Sequence, residues 1–216
     1  PDPVVTEHII QAHHRAVELV RTTGVPVGWP VAPQQFYADP GAEEVMRDYA
    51  YPRETIFLEA SRGDDFVGVQ TYTRTRVGPD GALPPEEGVP VLPMGYEYWP
   101  EALEACLRRA ADYTGGRVPL LVTENGIGTP DDEQRRAYVH TALRGVLRCL
   151  ADGLDVQGYT YWSLLDNFEW ALGYEPTFGL VAVDRTTFVR TPKPSARWFA
   201  EVVRANALVP PWAAAL

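Results

Sequence analysis

"VPLLVTENGIGTPDDEQRR", residues 118–136, sets an apolar run, a turn and a charged helical stretch end to end. The run Val118–Thr123 reads as a buried strand, bounded by "TGG" upstream and "NGIGTP" downstream. Thr129 is expected as the N-cap of the next helix, with Pro130 at its first position and acids in its first turn, the helix running to about Gly153. Glu124 therefore stands where a strand ends against a turn. Taken alone, "VTENG" is a surface acid capping a strand, but catalytic carboxylates of barrel enzymes occupy the same place. The rest of the chain has to decide.

Outward from this unit, strand and helix signals alternate. "PDPVVTEHIIQAHHRAVELVRTTG" (1–24) predicts a helix with Val5, Ile9, Ala12, Ala16 and Leu19 near one face and Gly24 as its stop. "VPVGWPV" (25–31) is a short strand, followed by a Pro- and Ala-rich loop and a helix in "PGAEEVMRDYA" (40–50). "DDFVGVQTYT" (64–73) is a second strand, and the Pro and Gly density of "RTRVGPDGALPPEEGVP" (74–90) predicts a long loop. "WPEALEACLRRAADYTGG" (99–116) is a helix with Pro100 in its first turn and Gly115 beyond its end. After the unit at 118–153, "VQGYTYW" (156–162) is the fourth strand, and "SLLDNFEWALGYEPTFG" (163–179) an aromatic loop. A hairpin in "GLVAVDRTTFVR" (179–190) and a helix from about Pro194 complete the pattern. The alternation predicts an α/β fold with a parallel sheet. A closed (β/α)8 barrel needs eight strands and about 250 residues, whereas these four units open on a helix with no strand before it and read as the second half of something larger.

The chain has 216 residues, 45% of them hydrophobic and 22% charged, enough to bury a core in one globular domain. A formal net charge of -10 argues against a nucleic-acid partner or an anionic membrane, because both would be repelled. Cys106 and Cys149 lie far apart inside predicted helices, which fits two reduced, buried thiols rather than a zinc or redox pair. No basic region followed by an apolar run opens the chain and no apolar stretch reaches about 18 residues, so a cytoplasmic setting is expected. His13 and His14, adjacent on a helix, face different directions and suit structural roles rather than a shared metal. "NGIGTP" lacks the third glycine of a dinucleotide fingerprint.

"VTENGIGTPDD" (122–132) together with "GYTYWSLLDNFEWALGYEPTFGL" (158–180) resembles the C-terminal half of the catalytic domain of glycoside hydrolase family 1, the β-glucosidase family. "DFVGVQTYTR", "GYEYWPEAL" and "TPKPSARWF" resemble further family segments in the same order. The resemblance runs across residues 1–216 and is sparsest between Gln34 and Gly63. It implies a (β/α)8 TIM barrel of which this chain supplies about the last four βα units, hydrolysis of β-glycosides with retention, and no metal or organic cofactor. Carried over by position, Glu124 matches the nucleophile and Tyr72 the tyrosine whose hydroxyl holds it. Trp162 matches the platform under the sugar, Glu169 and Trp170 the pair that bonds its hydroxyls, and Phe178 an aromatic near its exocyclic carbon. Gln70 stands where the family has asparagine, keeping the amide one methylene further out.

The chemistry asks for these residue types on its own account. A pyranose has apolar C–H faces and a rim of hydroxyls, so its site needs an aromatic plane with charged or amide groups around it. Retention needs two carboxyl groups about 5–5.5 Å apart, one attacking the anomeric carbon and one protonating the leaving oxygen. Glu124 can be only one of them and is expected to be ionised, a form that a Tyr72 hydroxyl bond favours. The family's acid/base segment, Thr-x-Asn-Glu-Pro, has no counterpart here. Glu97, Asp166 and Glu175 are the loop carboxylates available in its place. A half barrel also has two open sheet edges and a bare interior, which predicts a covering partner. Three accounts follow: a β-glycosidase fragment whose acid/base comes from a second polypeptide carrying the N-terminal half, a self-paired glycoside-binding half barrel without efficient hydrolysis, or an inactive relic.

Overall fold

A computed structural model describes residues 1–211. Helix α1 (Pro3–Arg21) leads to strand β1 (Gly28–Val31) and a short strand β2 (Gln35–Ala38). Helix α2 (Glu43–Ala50) widens through one π turn over Tyr51–Thr55 and continues as α3 (Ile56–Ala60) before strand β3 (Phe66–Gln70). Strands β4 (Arg74–Gly78) and β5 (Gly81–Ala82) follow, then α4 (Ala102–Thr114), β6 (Leu120–Asn125), α5 (Asp132–Ala151) and β7 (Val156–Tyr161). A hairpin of β8 (Val181–Val183) and β9 (Arg190–Pro192) precedes helix α6 (Pro194–Ala205).

The main sheet has the order β1-β3-β6-β7, and every neighbouring pair is parallel. Each strand is followed by a helix before the next, as the alternation of signals predicts. Val67, Val69, Leu120 and Val122 face the helix layer and pack with Leu103, Cys106 and Leu107 of α4 and Ala142, Val146 and Cys149 of α5. Leu121 and Thr123 alternate onto the other face, where they crowd Gly158 and Gly68, and neither belongs to that core. A second core joins Ile127, Tyr138, Val139 and Tyr161 to Trp198 of α6. Both cysteines are buried and free. Among the described residues, β1 and β7 end the sheet with one strand neighbour each, and no helix is long and apolar enough to cross a membrane.

Several expectations are corrected. Helix α1 forms where the pattern places it, capped by Asp2 Oδ1, which accepts from Val4 N at 2.8 Å. Its apolar face is not its packed face: Val5, Ile9, Ala12, Ala16 and Leu19 are exposed, while Thr6 and Val17 are buried. The packed side carries His13, whose ring stacks on Trp29 at 4.1 Å and meets Asp64 at 2.9 Å. His14 bonds instead to Ala60 O, so the two histidines do point to different partners. The segment read as a long loop contains β4 and β5, and β2 lies in the preceding stretch also read as loop; together they make a second sheet, β2-β4-β5. "RTRV" alternates β-branched and long side chains, a strand signal that the prolines and glycines after Gly78 obscured. Helix α5 starts later than expected, because Asp131 rather than Thr129 caps it, with Oδ1 accepting from Glu133 N at 2.9 Å. Thr129 Oγ1 instead accepts from Asp131 N at 3.1 Å. Strand β6 extends past Thr123 to include Glu124 and Asn125.

Candidate active site

Because β3 and β6 are parallel neighbours, their C-terminal ends meet, and Gln70 pairs in register with Glu124. Thr71 N donates to Glu124 O at 3.1 Å, continuing that contact one residue beyond β3. The Glu124 carboxylate is then gripped at both oxygens. Gln70 Nε2 donates to Oε1 at 2.9 Å and Tyr72 Oη donates to Oε2 at 2.6 Å. Burial, and then the bond to Glu124, push the Tyr72 phenol far above its ordinary value, so it stays protonated and acts as the donor. The longer amide of Gln70 thus still reaches the carboxylate.

Gly126 explains the glycine of "VTENG". A Cβ there would lie 1.9 Å from Trp162 O, so the glycine permits the close approach of the β6 and β7 ends. That approach, with Trp162 N donating to Asn125 O at 2.9 Å, brings Trp162 to the same end of the sheet as Glu124. The Trp162–Ser163 peptide is cis. Phe178 returns from the loop before β8, its carbonyl accepting from Tyr161 Oη at 2.7 Å and its ring standing edge-on to Tyr72 at 6.1 Å. Glu169 Oε2 accepts from Asn167 Nδ2 at 2.7 Å. Trp170 sits at the rim, 84% exposed, with a φ of +47° that a bulky residue rarely adopts. Main-chain bonds between Glu169 N and Gly173 O and between Gly173 N and Trp170 O close the turn that imposes it.

A cleft of about 290 Å³ results, lined by Tyr72, Met94, Tyr96, Glu124, Trp162, Glu169, Trp170 and Phe178. Six of the seven residues singled out in the sequence line it, and the seventh, Gln70, holds Glu124 from beside it. Met94 and Tyr96 were missed; Tyr96 lies in the segment "GYEYWPEAL", which had signalled kinship but no role, and Met94 just before it. Burial, followed by the charge of Glu169, pushes the Tyr96 phenol up, so it too is neutral. The cleft therefore combines a fixed carboxylate at its floor, a second carboxylate and neutral phenols on its walls, and indole and phenyl faces around them.

The alternative carboxylates do not line this cleft. Glu97 is buried and held by Arg74 Nε at 2.5 Å and Glu86 N at 2.6 Å, while the Arg74 guanidinium lies over the Trp99 ring at 3.3 Å. Asp166 is held by Lys193 Nζ and Gly179 N, both at 2.8 Å, and Glu175 is exposed. Among the described residues, no group of three His, Cys, Asp or Glu side chains is arranged to hold a metal ion.

Comparison with known proteins gives this geometry its relatives. The thermostable beta-glucosidase B of Thermobispora bispora is 39% identical over 67% of this chain, a match that spans 34% of the relative. A beta-galactosidase of Sulfolobus acidocaldarius is 32% identical over 93% of this chain and 48% of its own length. The crystal structure of beta-glycosidase BGL167 superposes with a TM-score of 0.86 at 50% identity, covering 93% of this chain and 48% of that one. A beta-glucosidase from Thermotoga maritima, solved with a substituted glucoimidazole, gives a TM-score of 0.86 at 25% identity over 94% of this chain and 56% of that one. The chain thus spans about half the length or less of these relatives, and its four βα units are those of a (β/α)8 barrel. Residues 70–208, from Gln70 beside Glu124 to just past the last helix, match the profile of glycosyl hydrolase family 1, and the chain belongs to that family.

Proposed function

We propose that this chain carries the nucleophile side of a retaining β-glycosidase, with Glu124 as nucleophile and Tyr72 as the residue that orients it. The observation that carries the reading is the two-point grip on Glu124, at 2.9 Å and 2.6 Å, on the floor of an aromatic-walled cleft. In the first step a Glu124 carboxylate oxygen attacks the anomeric carbon as the glycosidic C–O bond breaks, and the leaving oxygen takes a proton from an acid. In the second step water attacks the same carbon, gives its proton to that group, and the Glu124 ester bond breaks. Trp162 supplies the sugar platform, Glu169 and Trp170 the hydroxyl contacts, and Phe178 a wall.

The acid/base comes from a second polypeptide, or a further segment, that carries the N-terminal half of the barrel. Support for this comes from the three loop carboxylates being engaged or solvent-facing away from the cleft. The two outer strands, each with one strand neighbour, give the same partner its seat. The relatives' names include glucosidases and a galactosidase, and β-glucosides are the substrate class to try first. Hydrolysis of an aryl β-glucoside is expected only when the complementing half is present, and Glu124→Gln is expected to abolish it. Equal hydrolysis by the lone chain, or retained activity in the variant, would refute the proposal. The same exposed edges would also serve a second copy of the chain. Saturable binding of a glucoimidazole by a homodimer, without turnover, would favour that glycoside-binding reading.

A further inference from the structure

A closed hydrogen-bond network lies behind Glu124. Asn125, fully buried, donates from Nδ2 to Thr71 O at 2.7 Å and to Tyr138 Oη at 3.4 Å, and its Oδ1 accepts from Tyr159 Oη at 2.7 Å. Tyr138, on α5 and 1% exposed, donates its one hydroxyl proton to Tyr72 O at 2.7 Å. Every donor and acceptor of this pair is thereby used except one lone pair on each oxygen. The consequence falls on Tyr72. Its own carbonyl and that of Thr71 are held by side chains from α5 and β6, while Thr71 Oγ1 donates to Pro33 O at 2.9 Å. Tyr72 lies beyond the end of β3 and takes no strand pairing of its own, though Thr71 N bonds to Glu124 O before it and Gln35 N to Thr73 O after it. Tyr138 and Asn125 hold the main chain between those two bonds.

We infer that Tyr138 is a positioning residue: its hydroxyl, with Asn125 beside it, holds the Tyr72 main chain so that Tyr72 Oη meets Glu124 Oε2. The inference rests on the reading of Glu124 as nucleophile. A phenol bond of 2.6 Å tolerates little displacement, and a misplacement of about 1 Å at a reacting group costs on the order of 100-fold in rate. Tyr138→Phe removes the hydroxyl and keeps the ring, including its edge contact with Tyr98 at 5.6 Å.

The test uses the chain assembled with its complementing half and a 2-fluoro-β-glucoside bearing dinitrophenolate, a leaving group that departs without a proton. Glu124 attacks the anomeric carbon, the bond to the phenolate oxygen breaks, and dinitrophenolate is released with its electron pair. For Tyr138→Phe the rate constant of this step is expected to fall roughly 10- to 100-fold at an unchanged half-saturation concentration. Tyr159→Phe, which loosens Asn125, is expected to change it in the same direction, and Tyr98→Phe to leave it unaltered. Amide hydrogen exchange gives a readout independent of activity. The Thr71 amide, bonded to Glu124 O, should exchange faster in Tyr138→Phe while the Val67 amide, bonded to Pro119 O, does not change. Unchanged labelling rates in Tyr138→Phe and Tyr159→Phe, or exchange that rises evenly along β3, would overturn the inference. If the unmodified assembly is not labelled at all, the nucleophile reading fails, and the Thr71 and Val67 exchange rates still decide whether Tyr138 holds this segment.

Discussion

Replacing Arg135 by methionine is expected to cost about 3–5 kcal/mol, as for breaking a buried ion pair at one partner. Arg135 is 1% exposed, and its guanidinium donates to Asp132, Thr129 O and Thr177 O. Asp132 in turn accepts from Ser195 N and Ser195 Oγ, both at 2.7 Å. Arg135 and Asp132 together thus join the start of α5, the turn after β6, the loop before β8 and the start of α6. Methionine fills similar space and supplies none of the donors. Thr129 N still donates to Thr177 O at 3.3 Å and Thr177 Oγ1 to Thr129 O at 2.8 Å, so each carbonyl keeps one weaker partner. The loss therefore falls mainly on the charge: Asp132 is left with Ser195 alone. For a chain of this length 1 kcal/mol moves the melting temperature by about 2–4 °C, so a fall of roughly 6–20 °C is expected. Circular dichroism melts and urea titrations of both proteins, side by side, measure it. A loss below about 1 kcal/mol would refute the clamp, since an exposed pair contributes no more than that.

Two further predictions concern a buried acid and a strained aromatic. Glu54 is 4% exposed, and burial pushes its carboxyl up to about 7 despite the Arg109 guanidinium and the Gln34 amide beside it. Its folded-state value lies above its unfolded one, so its contribution to stability is full below about 4.5 and is lost as pH rises through about 7. Denaturant midpoints across that window should fall in the unmodified chain and flatten in Glu54→Gln; parallel curves would contradict the assignment. Trp170→Gly should relieve about 1 kcal/mol of left-handed backbone strain while weakening glucoimidazole binding, and a variant that is destabilised or binds equally well would count against its role at the rim.

The strand–turn–helix at 118–151 was legible because its apolar run is bounded by glycines and its helix opens on acids, with a proline just before its cap. The parallel α/β character of the main sheet followed from alternation. The buried face of α1 did not, since Thr6, His13 and Val17 pack while the apolar stripe faces outward, and periodicity reports hydrophobicity rather than contact. Strands β2 and β4 were hidden among prolines, and their pairing joins residues that the chain separates by a helix. At the site, Glu124, Tyr72 and the aromatic loop were found through the resemblance of their segments to the family's motifs. Tyr138 was not, because it lies two helical turns into α5 and meets Tyr72 through its hydroxyl across 66 positions. Asn125 reads in sequence as a turn residue, yet it is the last residue of β6 and fully buried.

The most direct test of the central claim is the site of covalent attachment. The chain, assembled with its complementing half, is incubated with the 2-fluoro dinitrophenyl β-glucoside, digested, and the modified peptide identified by mass spectrometry. The account predicts one fluoroglucosyl ester, on Glu124, absent from Glu124→Gln. Attachment to Glu169 or to any other carboxylate, or an unmodified Glu124 in an assembly that binds the sugar, would contradict it.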